Sequence, residues 1–124
     1  MMNLCFFILK VTDIDMMKAW YRDVVGLKLI SESAGYKEFI TESGFSFNLC
    51  KRNPNEIPSE KSINQTMNIG FDFPTFQELD VAYDRLIQAG ATPVTPPATA
   101  PWGHRIAWLA DPEGNVLCLN SMKE

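Results

Sequence analysis

Histidine is nearly absent from this chain: His104 is the single one in 124 residues. A site of two histidines and a carboxylate, a common frame for divalent transition metals, cannot be assembled within one chain. Cysteine is sparse as well. Cys5, Cys50 and Cys118 are odd in number, far apart, and form no CxxC pair. That pattern argues against a disulfide framework and a zinc-binding spacing, and predicts reduced thiols in a cytoplasmic protein. Positive charge is in deficit, with 11 Lys and Arg against 15 Asp and Glu and a net charge of −4. A binder of phosphate backbones needs a basic stripe, so nucleic acid is not an expected partner. Long hydrophobic runs are missing too. The apolar stretch Leu4-Cys5-Phe6-Phe7-Ile8-Leu9 is too short to span a bilayer. It has no preceding basic region and no small-residue cleavage site, so neither a membrane segment nor a signal peptide is expected. No glycine-rich phosphate loop and no Ser/His/Asp order appears.

What is present is enough apolar material for a core, 46% of the residues. The length predicts one domain, 1–124. Within it the chain reads as two copies of one pattern. The first copy, about 1–52, opens with a strand from Leu4 to Val11. Thr12 or Asp13 caps a helix with Ile14, Met17, Trp20, Tyr21, Val24 and Val25 at helical spacing, and Gly26 ends it. Strand-like segments follow at Leu27 to Glu32, Tyr36 to Thr41 and Phe45 to Cys50.

A polar stretch with two prolines, from Lys51 to Gln65, contains the linker, about 53–65. The second copy, about 66–124, starts with a strand from Met67 to Phe73. Thr75 with Glu78 three residues on is a capping-box signature. The helix places Leu79, Ala82, Tyr83, Leu86 and Ile87 on one face and stops at Gly90. Further strands are expected near Thr92 to Thr95, Arg105 to Ala110 and Val116 to Asn120, with a proline-rich loop from Pro96 to Pro101. The helix-stop glycines Gly26 and Gly90 lie about 64 positions apart, a plausible repeat period.

Two stretches are the most specific. One is Val11-Thr12-Asp13-Ile14 running to Trp20-Tyr21-Arg22-Asp23-Val24-Val25-Gly26-Leu27. The other is the turn Asp111-Pro112-Glu113-Gly114-Asn115 feeding the alternating strand Val116 to Asn120. In this order and spacing the chain resembles, over nearly its whole length, the vicinal-oxygen-chelate superfamily of glyoxalases, bleomycin-resistance proteins and extradiol dioxygenases. The resemblance implies an α+β fold. Two βαβββ modules would form cupped mixed sheets with helices on the outer face.

The resemblance also implies where a metal would sit. Metal-dependent members use His, Glu or Gln from the first and last strands of each module, facing the concave side. Here those positions fall on Phe6, Asn48, Asn68 and Cys118. Phe6 has no lone pair to offer. The two asparagines offer neutral amide oxygens, poor ligands for a catalytic transition metal. Cys118 lacks a second soft or imidazole partner. No metal and no other cofactor is therefore expected.

Strand alternation assigns the faces. Ile69, Phe71 and Phe73 point to a core under the second helix, leaving Asn68, Gly70 and Asp72 opposite. Phe45, Phe47 and Leu49 go to a core, leaving Ser46, Asn48 and Cys50. Pairing across the Asp111 turn puts Ala107 and Leu109 with Leu117 and Leu119. His104, Ile106 and Trp108 then share the other face with Cys118 and Asn120. The candidate binding residues are Phe6, Asn48, Asn68, Asp72, Trp102, His104, Trp108, Cys118 and Asn120. Aromatic walls with a few amides suit a planar small molecule. The same residue types also complete cores and subunit interfaces.

Individual residues have plain alternatives. His104 has the chemistry of a general acid or base but no assignable nucleophile, and local hydrogen bonding explains it as well. Arg105 would suit an anionic group or simply the surface. Asp111 is a turn former, Asp13 a helix-start residue, and Cys118 an inert half-buried thiol.

The resulting expectation is a cytoplasmic homodimer that binds a small molecule without a metal, in the manner of the bleomycin-resistance branch, sequestering an antibiotic or other aromatic compound. Two alternatives stand beside it. One is a divalent-metal lyase or dioxygenase of the same superfamily; the other is an interaction module without a small ligand.

Overall fold

Strand, helix and three strands occur twice in the computed structural model, which describes residues 1–53 and 67–122. The chain divides into two compact units, Met1–Ile57 and Pro58–Glu124. The linker expected at about 53–65 lies, Asn53 apart, outside the described residues.

In the first unit β1 (Phe6–Val11) is followed by α1 (Ile14–Ala19), then β2 (Lys28–Ser33), β3 (Tyr36–Ile40) and β4 (Ser46–Lys51). The strands form one mixed sheet in the order β1-β4-β3-β2, with β1 parallel to β4 and the other pairs antiparallel. Asp13, not Thr12, caps α1, its carboxylate accepting from the Met16 N–H at 3.1 Å. That satisfies one of the donors a helix start leaves open.

The expected single α-helix does not run to Gly26. From Trp20 to Val25 it widens into a π-helical stretch. Gly26, at φ 93°, closes it by donating to Tyr21 O at 3.1 Å. That left-handed backbone favours glycine. Trp20 and Tyr21 are both buried, their rings edge to face with centroids 5.1 Å apart.

The Tyr21 ring meets Phe47 at 4.9 Å, and Phe39 meets Phe47 at 6.3 Å. Leu9, Val11, Met17 and Leu49 complete this core. Each fully buried large apolar side chain stabilises the fold by about 1.5–3 kcal/mol. Lys37 is buried on the same face of the sheet. Its ammonium donates to Ser33 O at 2.6 Å and Glu32 Oε1 at 3.2 Å, which is how a charge is tolerated there.

The second unit contains β5 (Ile69–Phe73), α2 (Phe76–Gln88), β6 (Thr92–Thr99), β7 (Arg105–Ala110) and β8 (Val116–Ser121). Its sheet order is β5-β8-β7-β6, with β5 parallel to β8. Thr75 Oγ1 accepts from the Glu78 N–H at 3.1 Å and donates to Glu78 Oε2 at 3.2 Å, so the capping pair closes through its side chains. Leu79, Ala82, Tyr83 and Leu86 are the buried stripe of α2, as their spacing predicts.

One expectation is corrected. The prolines from Pro96 do not begin a loop, because β6 continues to Thr99. It is an edge strand with register shifts at Pro93/Thr95 and Thr95/Ala98, and an edge with bulges accommodates residues that cannot donate to a ladder. The loop is the short turn that follows, where Ala100 N–H donates to His104 O at 2.7 Å and Gly103 N–H to Ala100 O at 2.9 Å.

The β7–β8 turn is built on Asp111, which is buried. Its Oδ1 accepts from the backbone N–H groups of Glu113 and Asn115, each at 2.9 Å. The Asn115 amide spans both carboxylate oxygens at 3.0 and 2.8 Å. This clamp sets the register that pairs Trp108 with Cys118 and Ile106 with Asn120. Among the described residues no helix is long and apolar enough to cross a membrane.

Candidate functional site

Each sheet packs one face against the helix of its own unit; among the described residues that helix does not cover the other face, the open face. On the first unit's open face, register places Phe6, Ser46 and Ile40 in one row across β1, β4 and β3. The next row is Ile8, Asn48, Glu38 and Ser31, and the third is Lys10, Cys50, Tyr36 and Ser33. Phe6 is 52% exposed, whereas Asn48 retains only 3%. The Asn48 amide donates to Ser46 Oγ at 3.0 Å, which fixes it within its own strand.

On the second unit's open face, Gly70, Cys118 and Trp108 form one row across β5, β8 and β7. Asp72, Asn120 and Ile106 form the next, with the Asn120 amide 3.4 Å from Asp72 Oδ1. A Cβ built on Gly70 would have nothing within 4 Å. This spot beside Cys118 is therefore a bare floor, with the Trp108 indole one strand further on. Asn68, expected inside the opening strand, stands one residue before β5 and is exposed.

The residues anticipated beyond the sheet are dispersed. Trp102 is 68% exposed on the Ala100–His104 turn. His104 is half-buried and directly precedes β7, with its carbonyl tied into that turn. Arg105 does not wait for an anion. Its Nε donates to Asp80 Oδ1 at 2.7 Å and its Nη2 to Asp80 Oδ2 at 3.0 Å, joining β7 to α2.

The four positions where the family's metal ligands would fall do not make a donor set for a catalytic divalent metal. Phe6 has no donor atom, the Asn48 amide is engaged by Ser46, and Asn68 offers a neutral oxygen. Cys118 is the remaining donor, and burial pushes its thiol pKa up, away from the thiolate that binds metals. Among the described residues no three of His, Cys, Asp and Glu gather to hold a metal ion.

Three open-face residues escaped the reading of the sequence as site residues: Tyr36, Glu38 and Gly70. Alternation around Phe39 would have placed Tyr36 and Glu38 on the open face. Lys37 at a core position obscured that signal. The Tyr36 phenol is pushed up first by burial, then by the nearby Glu38 charge and Cys50.

Comparison with known proteins bears on the whole chain. The family model for the Glyoxalase/Bleomycin resistance protein/Dioxygenase superfamily matches residues 4–119. A glyoxalase/bleomycin resistance protein/dioxygenase family enzyme from Burkholderia phytofirmans PsJN is similar in structure at a TM-score of 0.84 and 26% identity, covering 98% of this chain and 99% of that one. A glyoxalase/bleomycin resistance protein/dioxygenase from Nocardioides gives 0.78 at 23% identity, covering 100% of this chain and 85% of that one. TioX from Micromonospora sp. ML1 gives 0.76 at 20% identity, covering 97% and 98%. A comparison with curated proteins found no match.

Proposed function

The chain belongs to the Glyoxalase/Bleomycin resistance protein/Dioxygenase superfamily, and from that premise we propose that it is a metal-independent small-molecule-binding protein. It holds an antibiotic or other planar aromatic compound and does no chemistry on it. The observation that carries this reading is the donor set Phe6, Asn48, Asn68 and Cys118, which lacks a carboxylate or imidazole. What those ligand positions leave is a binding surface. The first unit's open face offers Phe6 and Tyr36 for stacking beside Asn48, and the second unit's open face offers Trp108 for stacking with Asp72 and Asn120 for orienting hydrogen bonds. Cys118 lies on the second unit's face, and we include Asn68, Trp102 and His104 among the proposed ligand contacts of that unit. We take the chain to be a single domain that works as a cytoplasmic homodimer.

Two measurements test this. Elemental analysis of the purified, dialysed protein should find no stoichiometric Ni, Zn, Mn or Fe; finding one sinks the metal-free reading. A thermal-shift screen against planar antibiotics and aromatic metabolites should find a stabilising ligand. At a hundredfold excess over Kd the gain is about 2.7 kcal/mol. A screen without hits favours an interaction module with no small ligand.

A further inference from the structure

We infer that the ligand of the first unit's open face carries a cationic nitrogen on its planar frame, docked on the Glu38 carboxylate beside Asn48. This deepens the ligand-binding reading above and rests on it.

Glu38 occupies the middle of that face. Asn48 flanks it on β4, Ser31 on β2, and Tyr36 and Ile40 on its own strand. It is half-buried, yet among the described residues its carboxylate joins no ion pair and accepts no hydrogen bond. Glu32 takes Lys18 and Lys37, Asp23 takes Arg22, Asp80 takes Arg105, and Asp13 caps α1, whereas Glu42 and Asp84, likewise without a partner among the described residues, are exposed. A carboxylate without a protein partner on a sheet face is an acceptor for a docking cation, which it would hold by a charge-assisted hydrogen bond.

The surroundings suit an aromatic cation more than a simple one. Tyr36 presents a ring next to the charge, and Ile8 and Phe6 extend the apolar surface across β1. A cation held over an aromatic face gains further attraction. Lys10 and Lys28 stand at opposite corners of the same face, and neither is bonded to Glu38. An anionic ligand centred on the face would meet the Glu38 charge directly.

Fluorescence titration of the full chain with two dyes of nearly one shape tests the inference. 9-Aminoacridine is a cation at neutral pH, and acridine is neutral there. The wild-type chain should bind the cation about tenfold or more tightly than the neutral dye. Glu38→Gln should remove that difference by weakening 9-aminoacridine alone, with a melting temperature no lower than the wild type's as the folding control. Glu38→Ala should do the same. Equal affinity for the two dyes, or a Glu38→Gln chain that still prefers the cation, overturns the cationic nitrogen and leaves the planar ligand standing. Binding of neither dye also overturns it; only an empty thermal-shift screen as well removes the ligand-binding reading.

Discussion

Arg105 on β7 grips Asp80 on α2 through two parallel hydrogen bonds of 2.7 and 3.0 Å, and donates a third to Thr99 Oγ1 at 3.2 Å. The pairing engages the cation that sequence order places nearest His104 and the Trp102 turn. It holds the helix onto the sheet and offers no charge to a ligand. Arg105 and Glu38 thus have opposite fates. The arginine is tied to a helix, and the glutamate stands open on a sheet.

Replacing Arg105 by Ala should therefore cost stability and leave ligand binding alone. Asp80 is 41% exposed, so solvent screens the pair and the charge contribution is about 1 kcal/mol or less. Loss of the packed arginine stem adds to it. Urea unfolding should show a lower midpoint for Arg105→Ala and Asp80→Ala, with a double mutant less destabilised than the sum. Strict additivity would mean that the two side chains do not interact.

Asp111 governs the β7–β8 turn, and its removal should be more severe. Asp111→Ala leaves the N–H groups of Glu113 and Asn115 and the Asn115 amide without their acceptor in a buried turn. A cost on the order of 3 kcal/mol is expected. Asp111→Asn keeps one acceptor oxygen and should fall between. Chemical denaturation ranks the three chains, and a wild-type-like Asp111→Ala would contradict the clamp.

That turn also explains what could be read from residue order. A turn centred on Asp111 to Asn115 fixes which residues of β7 and β8 face each other. Ala107, Leu109, Leu117 and Leu119 were therefore assignable to the core, and Trp108 and Cys118 to the open face. Other features resist such reading for physical reasons. Ile14, Met17, Trp20, Tyr21, Val24 and Val25 fit a helical stripe whether the backbone is α or π wound, because apolar spacing alone does not report the hydrogen-bond step. Pro96 and Pro97 look like the start of a loop until the strand's edge position is known. Lys37 looks like a surface residue until Glu32 and Ser33 O supply its partners, and that hid the open-face placement of Glu38.

Cys118 makes stability depend on pH. Burial raises its thiol pKa above the unfolded value, so the folded chain holds that proton more tightly. The contribution is fully present below the ordinary thiol range and is lost as pH rises through the folded pKa. Denaturation midpoints between neutral and alkaline pH should fall more steeply for the wild type than for Cys118→Ser. Parallel pH profiles would refute the linkage.

Gly70 offers the cleanest separation of fold from function. Its Cβ position is open, and its backbone is not among the glycines at positive φ. Gly70→Val should fold as well as the wild type or gain about 0.5–1 kcal/mol, since glycine inside a strand is entropically unfavourable. The new side chain would stand on the bare floor beside Cys118, one strand from Trp108. If a planar ligand lies there, its affinity should drop at least about tenfold, the cost of about 1.4 kcal/mol of lost or strained contact. A Gly70→Val chain with higher thermal stability and unimpaired binding would show that the second unit's floor is not the binding surface, and would leave the first unit's face with Glu38 as the place of the ligand.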